Sequence, residues 1–478
     1  MVRGKKRLAC FFVLLALLIG WVAFLRGNRD ERPISTTALG QNIDAVAVDE
    51  HTGRVFIAVG RADGSGRLYV LDARMGAILH AVAMRANSHG HVHDQPIALA
   101  VDGRTDRVFV LRRGTTVGSL STVDARNGYV LATTATLLDP IGLAVDDIRG
   151  QVFVANSGLA DRSGHITMYP ATGTGTWQTL AVPKGTMAVA VDKRTHRIVV
   201  ARLALKGATA STAVTVYNTS GGRILPTMTI TGSPAWRALT VDEATGHAFV
   251  LTVANGLTNA GQVSMFDTHS GRLVGAVLLN SLPEAAALDG RTGRVFVTTI
   301  GPARQVPTFN PSSLAALAPT MTRYRGIPVP GPTLTLVPYG QGNVYILDSR
   351  SGVVVKIVTV GVAPQDVAVG SSSGRVFVAN IGPVDRDGYF AGQGSVSVLD
   401  ARSGDLLHTV PVGVGAAMLT VDERTQRLFV ANYGGYESIP DQWAWVPPLL
   451  RARLPLSSPP NGGAYPNASA VSMVDASR

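Results

Sequence analysis

An apolar run, an aspartate, a short turn and a second apolar run recur eight times along this 478-residue chain. The phrase reads VAVDEHTGRVFIA around Asp49, LAVDGRTDRVFVL around Asp102, LAVDDIRGQVFVA around Asp146 and VAVDKRTHRIVVA around Asp192. It returns around Asp242, Asp289 and Asp422, and in VAVGSSSGRVFVA Gly370 takes the aspartate's place. A second phrase alternates strictly with the first, as in LYVLDARMG at Asp72, VSMFDTHSG at Asp267, VYILDSRSG at Asp348 and VSVLDARSG at Asp400. Self-similarity of this kind restricts a chain to solenoids, propellers and related arrays.

Each phrase is a hairpin signal, because two β-branched or aromatic runs flank a turn that aspartate can cap and glycine can enter left-handed. Two hairpins make a four-stranded unit, and the mean spacing of about 53 residues suits the blade of a propeller. No amphipathic helical stretch separates the strands, which argues against parallel βαβ repeats. The fold class predicted is therefore all-β, a β-propeller of eight four-stranded blades, or seven if the interrupted sixth or eighth unit is incomplete. The last unit stops at Asp475–Arg478 and lacks its outermost strand, while residues 34–40 read like one. Residues 33–40 are expected to pair with the final blade and close the ring.

The phrase V-A-V-D-x-x-T-G-R-V-F-V-A-N, followed by G-x-V-S-V-L-D-x-x-S-G, resembles the YVTN-type, YncE-like bacterial propeller repeats. Val378-Ala379-Asn380 and Val430-Ala431-Asn432 stand in for the Val-Ala-Asn of that signature. The resemblance extends from residue 43 to 475 and implies an extracytoplasmic binding or surface protein. It also brings in single-stranded DNA, which one such protein is reported to bind.

Leu8–Leu25 is eighteen residues without a charge, preceded by Arg3, Lys5, Lys6 and Arg7. As a helix it rises about 27 Å, enough to span a bilayer core, and the preceding cations favour a cytoplasmic N-terminus. Trp21, Phe24 and Leu25 crowd the place where a signal peptidase needs small residues, so an uncleaved anchor is expected over a secreted, cleaved chain. The domains are then 1–32, holding stub, transmembrane segment and flank, and 33–478, holding the propeller on the extracytoplasmic side. Of the net charge of +11, +5 falls within residues 1–32, so much of the basic balance is a topology signal and nucleic acid becomes the weakest partner reading. A single cysteine excludes a disulfide scaffold and a cysteine-ligated zinc site.

Function is expected on loops. Residues 301–342 interrupt unit six and 433–466 interrupt unit eight, and together they hold 15 of the 26 prolines. Tyr433, Tyr436, Trp443 and Trp445 offer an aromatic contact surface for an envelope protein, a glycan, a small ligand or the membrane, or a lid packed over the ring. Arg323 and Arg325 sit in an insertion without an acidic residue and suit an anion, or a solvated loop. His89, His91, His93 and Asp94 alternate on an extended stretch and could ligate zinc or copper, or remain a polar loop. The one G-x-S-x-G match, Gly370-Ser-Ser-Ser-Gly374, is the turn of a repeat phrase, and no phosphate-binding G-x-x-x-x-G-K or H-E-x-x-H is present. The preferred reading is a membrane-anchored binding or scaffold module; the alternative is a metal-assisted hydrolase or lactonase-like propeller, and the third a nucleic-acid binder.

Overall fold

The computed structural model describes residues 33–39, 43–60, 66–84, 95–114, 117–158, 163–206, 209–219, 222–254, 260–301, 323–324, 327–328, 340–384, 390, 392–434 and 469–477. Among them stand eight four-stranded antiparallel sheets. In blade 1 the strands run in order from Ile43–Asp49, the innermost, through Arg54–Gly60 and Gly66–Asp72 to Ile78–Met84, the outermost. Blades 2 to 7 begin at Gln95, Pro140, Thr186, Ser233, Pro283 and Pro364, and blade 8 at Ala416. The innermost strands touch their neighbours all the way round, with Ala416–Asp422 returning against Ile43–Asp49. The chain is an eight-bladed β-propeller.

Closure follows the expectation, over a shorter span. Ser35–Ala38 forms the outermost strand of blade 8, with Ser35 opposite Met473 and Ala38 opposite Ala470. Leu39 N–H donates to the Ser469 carbonyl at 2.7 Å. The predicted transmembrane segment Leu8–Leu25 lies outside the described residues; among the described residues no helix is long and apolar enough to cross a membrane.

The repeating aspartates cap turns. Asp49 accepts from His51 N at 3.0 Å and from Thr52 Oγ1 at 2.8 Å, and Asp102, Asp192 and Asp289 bind their own turns likewise. A backbone bond then joins the two turns of each blade, from Ala73 N to Gly53 O at 3.1 Å in blade 1 to Ala476 N to Gln426 O at 3.0 Å in blade 8. Where the first turn lacks its glycine, Asp106, His196 and Gln426 take the left-handed conformation, with φ of 52°, 54° and 54°. That geometry is costly for a side-chain-bearing residue. Each of these side chains reaches back to the preceding blade: Asp106 to His51, His196 to Asp146 and Gln426 to Ser372.

The core is divided among the blade interfaces. Eight buried apolar clusters each straddle one pair of neighbouring blades. The second-strand phenylalanine of the R-V-F phrase (Phe56, Phe109, Phe153, Phe249, Phe296, Phe377 or Phe429) is fully buried in the cluster shared with the next blade. Blade 4 carries Val199 there instead, and a cavity of about 10 Å³ lined by Val199, Met228, Ala248 and Phe266 lies at the blade 4–5 interface.

Two stability outcomes follow. Adjacent residues of an antiparallel strand alternate in donating to the partner, so Thr36→Pro with Thr37→Pro removes one ladder bond in either register. The pair is expected to lower the unfolding free energy by about 1 kcal/mol or more, the worth of the lost ladder bond, measured by urea denaturation. Val199→Ile adds one methylene to a cavity of about that size and is expected to raise the midpoint, by up to about 0.8 kcal/mol.

Candidate functional site

A bulge opens the innermost strand of every blade at the end away from the hairpin turns. The residue it releases borders the mouth of the central channel. In chain order these residues are Asp44, Ile97, Ile141, Met187, Glu284, Gln365 and Ala417, and in blade 5, where the irregularity spans the four residues 235–238, Arg237 holds the equivalent place five residues before Asp242. Blades 2, 3 and 4 thus give an apolar half of the mouth, and blades 5, 6 and 7 a polar half. Bulges commonly re-aim a side chain beside a functional site.

The polar half is organised by one ion pair. Arg237 of blade 5 reaches past blade 6, and its Nη1 binds Oδ1 of Asp366 in blade 7. Asp366 is buried and further fixed by Val367 N at 3.0 Å and by Leu419 N of blade 8 at 3.0 Å. Burial works against the charge on Arg237, but Asp366, with Tyr433 and Glu284 adding, outweighs it and holds the guanidinium protonated above its ordinary range. Arg237 remains partly exposed, and a guanidinium has five N–H donors in a planar fork, so one carboxylate does not exhaust it.

An aromatic pair adjoins this arginine. Phe390 of blade 7 stacks on Tyr433 of blade 8, with centroids 6.1 Å apart and planes 11° from parallel. Tyr433 is pinned by its N–H to the Gly415 carbonyl at 3.0 Å and by Ser469 Oγ on its own carbonyl at 2.9 Å. Gly415 is required here: its φ is +74°, and a Cβ would come within 2.9 Å of the Phe390 ring. Both insertions leave from this face, one between the second and third strands of blade 6 and the other at the same place in blade 8. They flank the blade that carries Asp366.

Asp44 is a second, half-buried aspartate of the mouth. Burial raises its carboxyl to about 7, partly offset by the Gly60 backbone N–H, and Oδ2 has no partner among the described residues. The acids at the other end of the channel serve the ring. Glu423 accepts from Ser371 N and Ser372 N at 2.8 and 2.9 Å, and Glu50 accepts from Glu423 N at 3.1 Å, each binding the preceding blade.

Of the residues singled out in the sequence, Tyr433 joins this site. Tyr436, Trp443, Trp445, Arg325, His89, His91, His93 and Asp94 lie outside the described residues. Arg323 is placed by its backbone alone, in a two-residue pairing of Arg323–Tyr324 with Ile327–Pro328, a small ribbon where only an extended loop was expected. Among the described residues no three His, Cys, Asp or Glu side chains come together to hold a metal. Sequence reasoning missed Arg237, Asp366 and Asp44. Their signal is visible once the repeats are aligned: each puts a charge where most sister phrases carry an apolar or small residue.

No family model matches the chain, and neither does any curated protein. Solved structures do. The Dos1 propeller is similar with a TM-score of 0.56 at 11% identity, covering 84% of this chain and 92% of that one. A europium-containing methanol dehydrogenase gives 0.54 at 12%, covering 92% of each. The C-terminal WD40 domain of Sif2 gives 0.54 at 10%, covering 93% of this chain and 97% of that one. At these identities the likeness is one of fold, shared by an enzyme and a WD40 domain alike.

Asp44 makes stability depend on pH. Its folded-state value lies above that of an unfolded aspartate near 4, so its contribution is complete below about pH 4 and is lost as pH rises through about 7. Asp44→Asn is expected to flatten that slope and to gain on the order of 4 kcal/mol at pH 8 relative to the native chain, read by urea denaturation across pH.

Proposed function

We propose that this chain is a ligand-binding module, held on the extracytoplasmic side of a membrane by its N-terminal segment, that captures its ligand at the channel mouth on the loop-bearing face. The observation that carries the reading is Arg237, fixed across an intervening blade by buried Asp366 and set beside the Phe390–Tyr433 stack. A charged fork held rigid next to a flat apolar surface suits a molecule with a carboxylate or phosphate and an aromatic or aliphatic body, whether free or presented by an envelope protein. Ile97, Ile141 and Met187 across the mouth suit the apolar part. The two insertions depart from the same face.

Membership of the YVTN-type, YncE-like group belongs to the same proposal. It is supported by the equivalent roles of Asn380 and Asn432, both buried and both donating from Nδ2 to the neighbouring strand and its serines at 3.0–3.3 Å. A binding module is preferred to a metal-assisted hydrolase because the charged pair that organises the mouth is an arginine and a carboxylate already committed to it and to two backbone amides.

Calorimetric titration of the purified full chain with aromatic carboxylates such as indole-3-acetate tests the site. Arg237→Met is expected to weaken binding about 10- to 100-fold, the worth of a charge-assisted hydrogen bond, and to lower the thermal melt because Asp366 is left buried without its cation, so the titration is run well below that melt. Equal affinity in the variant, or heat changes from uncharged indole as large as from the acid, would place recognition elsewhere.

A further inference from the structure

We propose that the turn face of the ring lies flat on the bilayer that holds the N-terminal segment, with turn arginines meeting lipid phosphates. The inference rests on the anchor proposed above. Its geometry comes from the closing strand. Ala470–Asp475 runs toward the turn at Asp475, and Ser35–Ala38 pairs with it antiparallel, so the chain enters the ring at the turn face. Ile34 N–H donates to the Met473 carbonyl at 2.7 Å, and Thr37 Oγ1 donates at 3.0 Å to the carbonyl of Gly76, in the second turn of blade 1. Only seven residues separate Leu25 from Pro33, a reach of no more than about 28 Å. A ring tethered this closely by its turn-side edge has that face nearest the membrane.

The chemistry of the face fits a headgroup layer. In blades 1, 2, 6 and 7 the second turn carries Arg74, Arg126, Arg350 and Arg402, all exposed. The turn itself uses only their backbone N–H groups, which cap Asp72, Asp124, Asp348 and Asp400 at 2.8–3.1 Å. Any residue would supply that N–H, so the second turn does not require the guanidinium side chains, although that of Arg126 also pairs with Asp106 in the first turn of its blade. Beside them, Met75, Tyr129 and Val353 are 68%, 72% and 62% exposed. Arginines interleaved with aromatic and aliphatic side chains are what an anionic membrane surface accommodates. A groove of about 610 Å³ between blades 2 and 3, edged by Arg104, Arg107 and Arg126 and also by Asp106 and Asp124, has room for a phosphate headgroup on its arginine side. The ligand mouth then opens away from the membrane.

The test uses the full chain in nanodiscs of phosphatidylcholine, alone or mixed with phosphatidylglycerol. In a Cys10→Ser background, one fluorophore is placed at Met75→Cys on the turn face or at Leu205→Cys on the opposite face. Headgroup-quencher lipid is expected to quench the first label in anionic discs and to spare the second. Arg74→Glu, Arg126→Glu, Arg350→Glu and Arg402→Glu together should abolish the difference, each substitution alone weakening the contact about fivefold. Both labels equally open to aqueous acrylamide, with the protein still in the disc, overturns the docking and leaves the anchor standing. A chain that never enters the disc overturns the anchor instead, and docking is then read by flotation with phosphatidylglycerol vesicles. Salt-sensitive flotation of the native chain but not the fourfold variant upholds it; flotation of neither, or of both, overturns it.

Discussion

Every part of this molecule depends on the apolar contact between one blade and the next. A four-stranded sheet of this kind is hydrophobic on both faces and cannot bury either alone. The second strand contributes the largest piece, as with Phe429, which packs from blade 8 into the cluster containing Ile43, Val55 and Ile57 of blade 1. The last interface is made by the same phrase as the others, so a break anywhere leaves two apolar faces in water. This makes the short strand Ser35–Ala38 matter beyond its length: it completes the blade that must meet blade 1.

Stability placed at the interfaces leaves the channel mouth free of structural duty. The strands lining it need small residues to turn about the axis, as Ala45, Ala98, Gly142 and Ala188 show just after their bulges. The bulged position itself is released from the ladder and tolerates isoleucine, methionine, glutamate or arginine. A charge placed there is stable only if a partner meets it, because its surroundings are partly dry. Arg237 has Asp366, whose remaining acceptor capacity is taken by two backbone amides. Asp44 meets mainly a backbone N–H and is held toward its neutral form.

The fold was legible because period, turn chemistry and strand pattern agree. Asp and Gly at the turns, and Phe in the middle of the second strand, each have one physical role repeated in nearly every unit. Asn380 and Asn432 belong to the same class, as buried donors rather than ligands. The site was less legible because it is made by departures from the repeat that lie far apart in sequence. Arg237 and Asp366 are 129 positions apart and two blades removed, and no local pattern reports that they meet. Tyr433 drew notice for its aromatic neighbours in the chain, yet it joins the mouth through Phe390 and Arg237.

The two faces of the ring obey different constraints, and this separates recognition from attachment. On the turn face the backbone is closed by aspartate caps, left-handed residues and one bond between turns in each blade, so its loops cannot lengthen without breaking those bonds. Variation there is limited to side chains pointing outward, such as the arginine of the Asp-Ala-Arg turn. On the opposite face a backbone bond ties the end of the second strand to the loop entering the blade, as from Ile381 N to Ala363 O and from Tyr433 N to Gly415 O. The connection to the third strand starts beyond that bond, and there blades 6 and 8 hold their insertions. A surface of fixed backbone and variable charge suits contact with something uniform and extended. A surface of variable loops around a rigid mouth suits discrimination of one partner from another. Because the chain enters beside the second turn of blade 1, the uniform contact is assigned to the face nearest the tether, and the selective one is left to the face that points away.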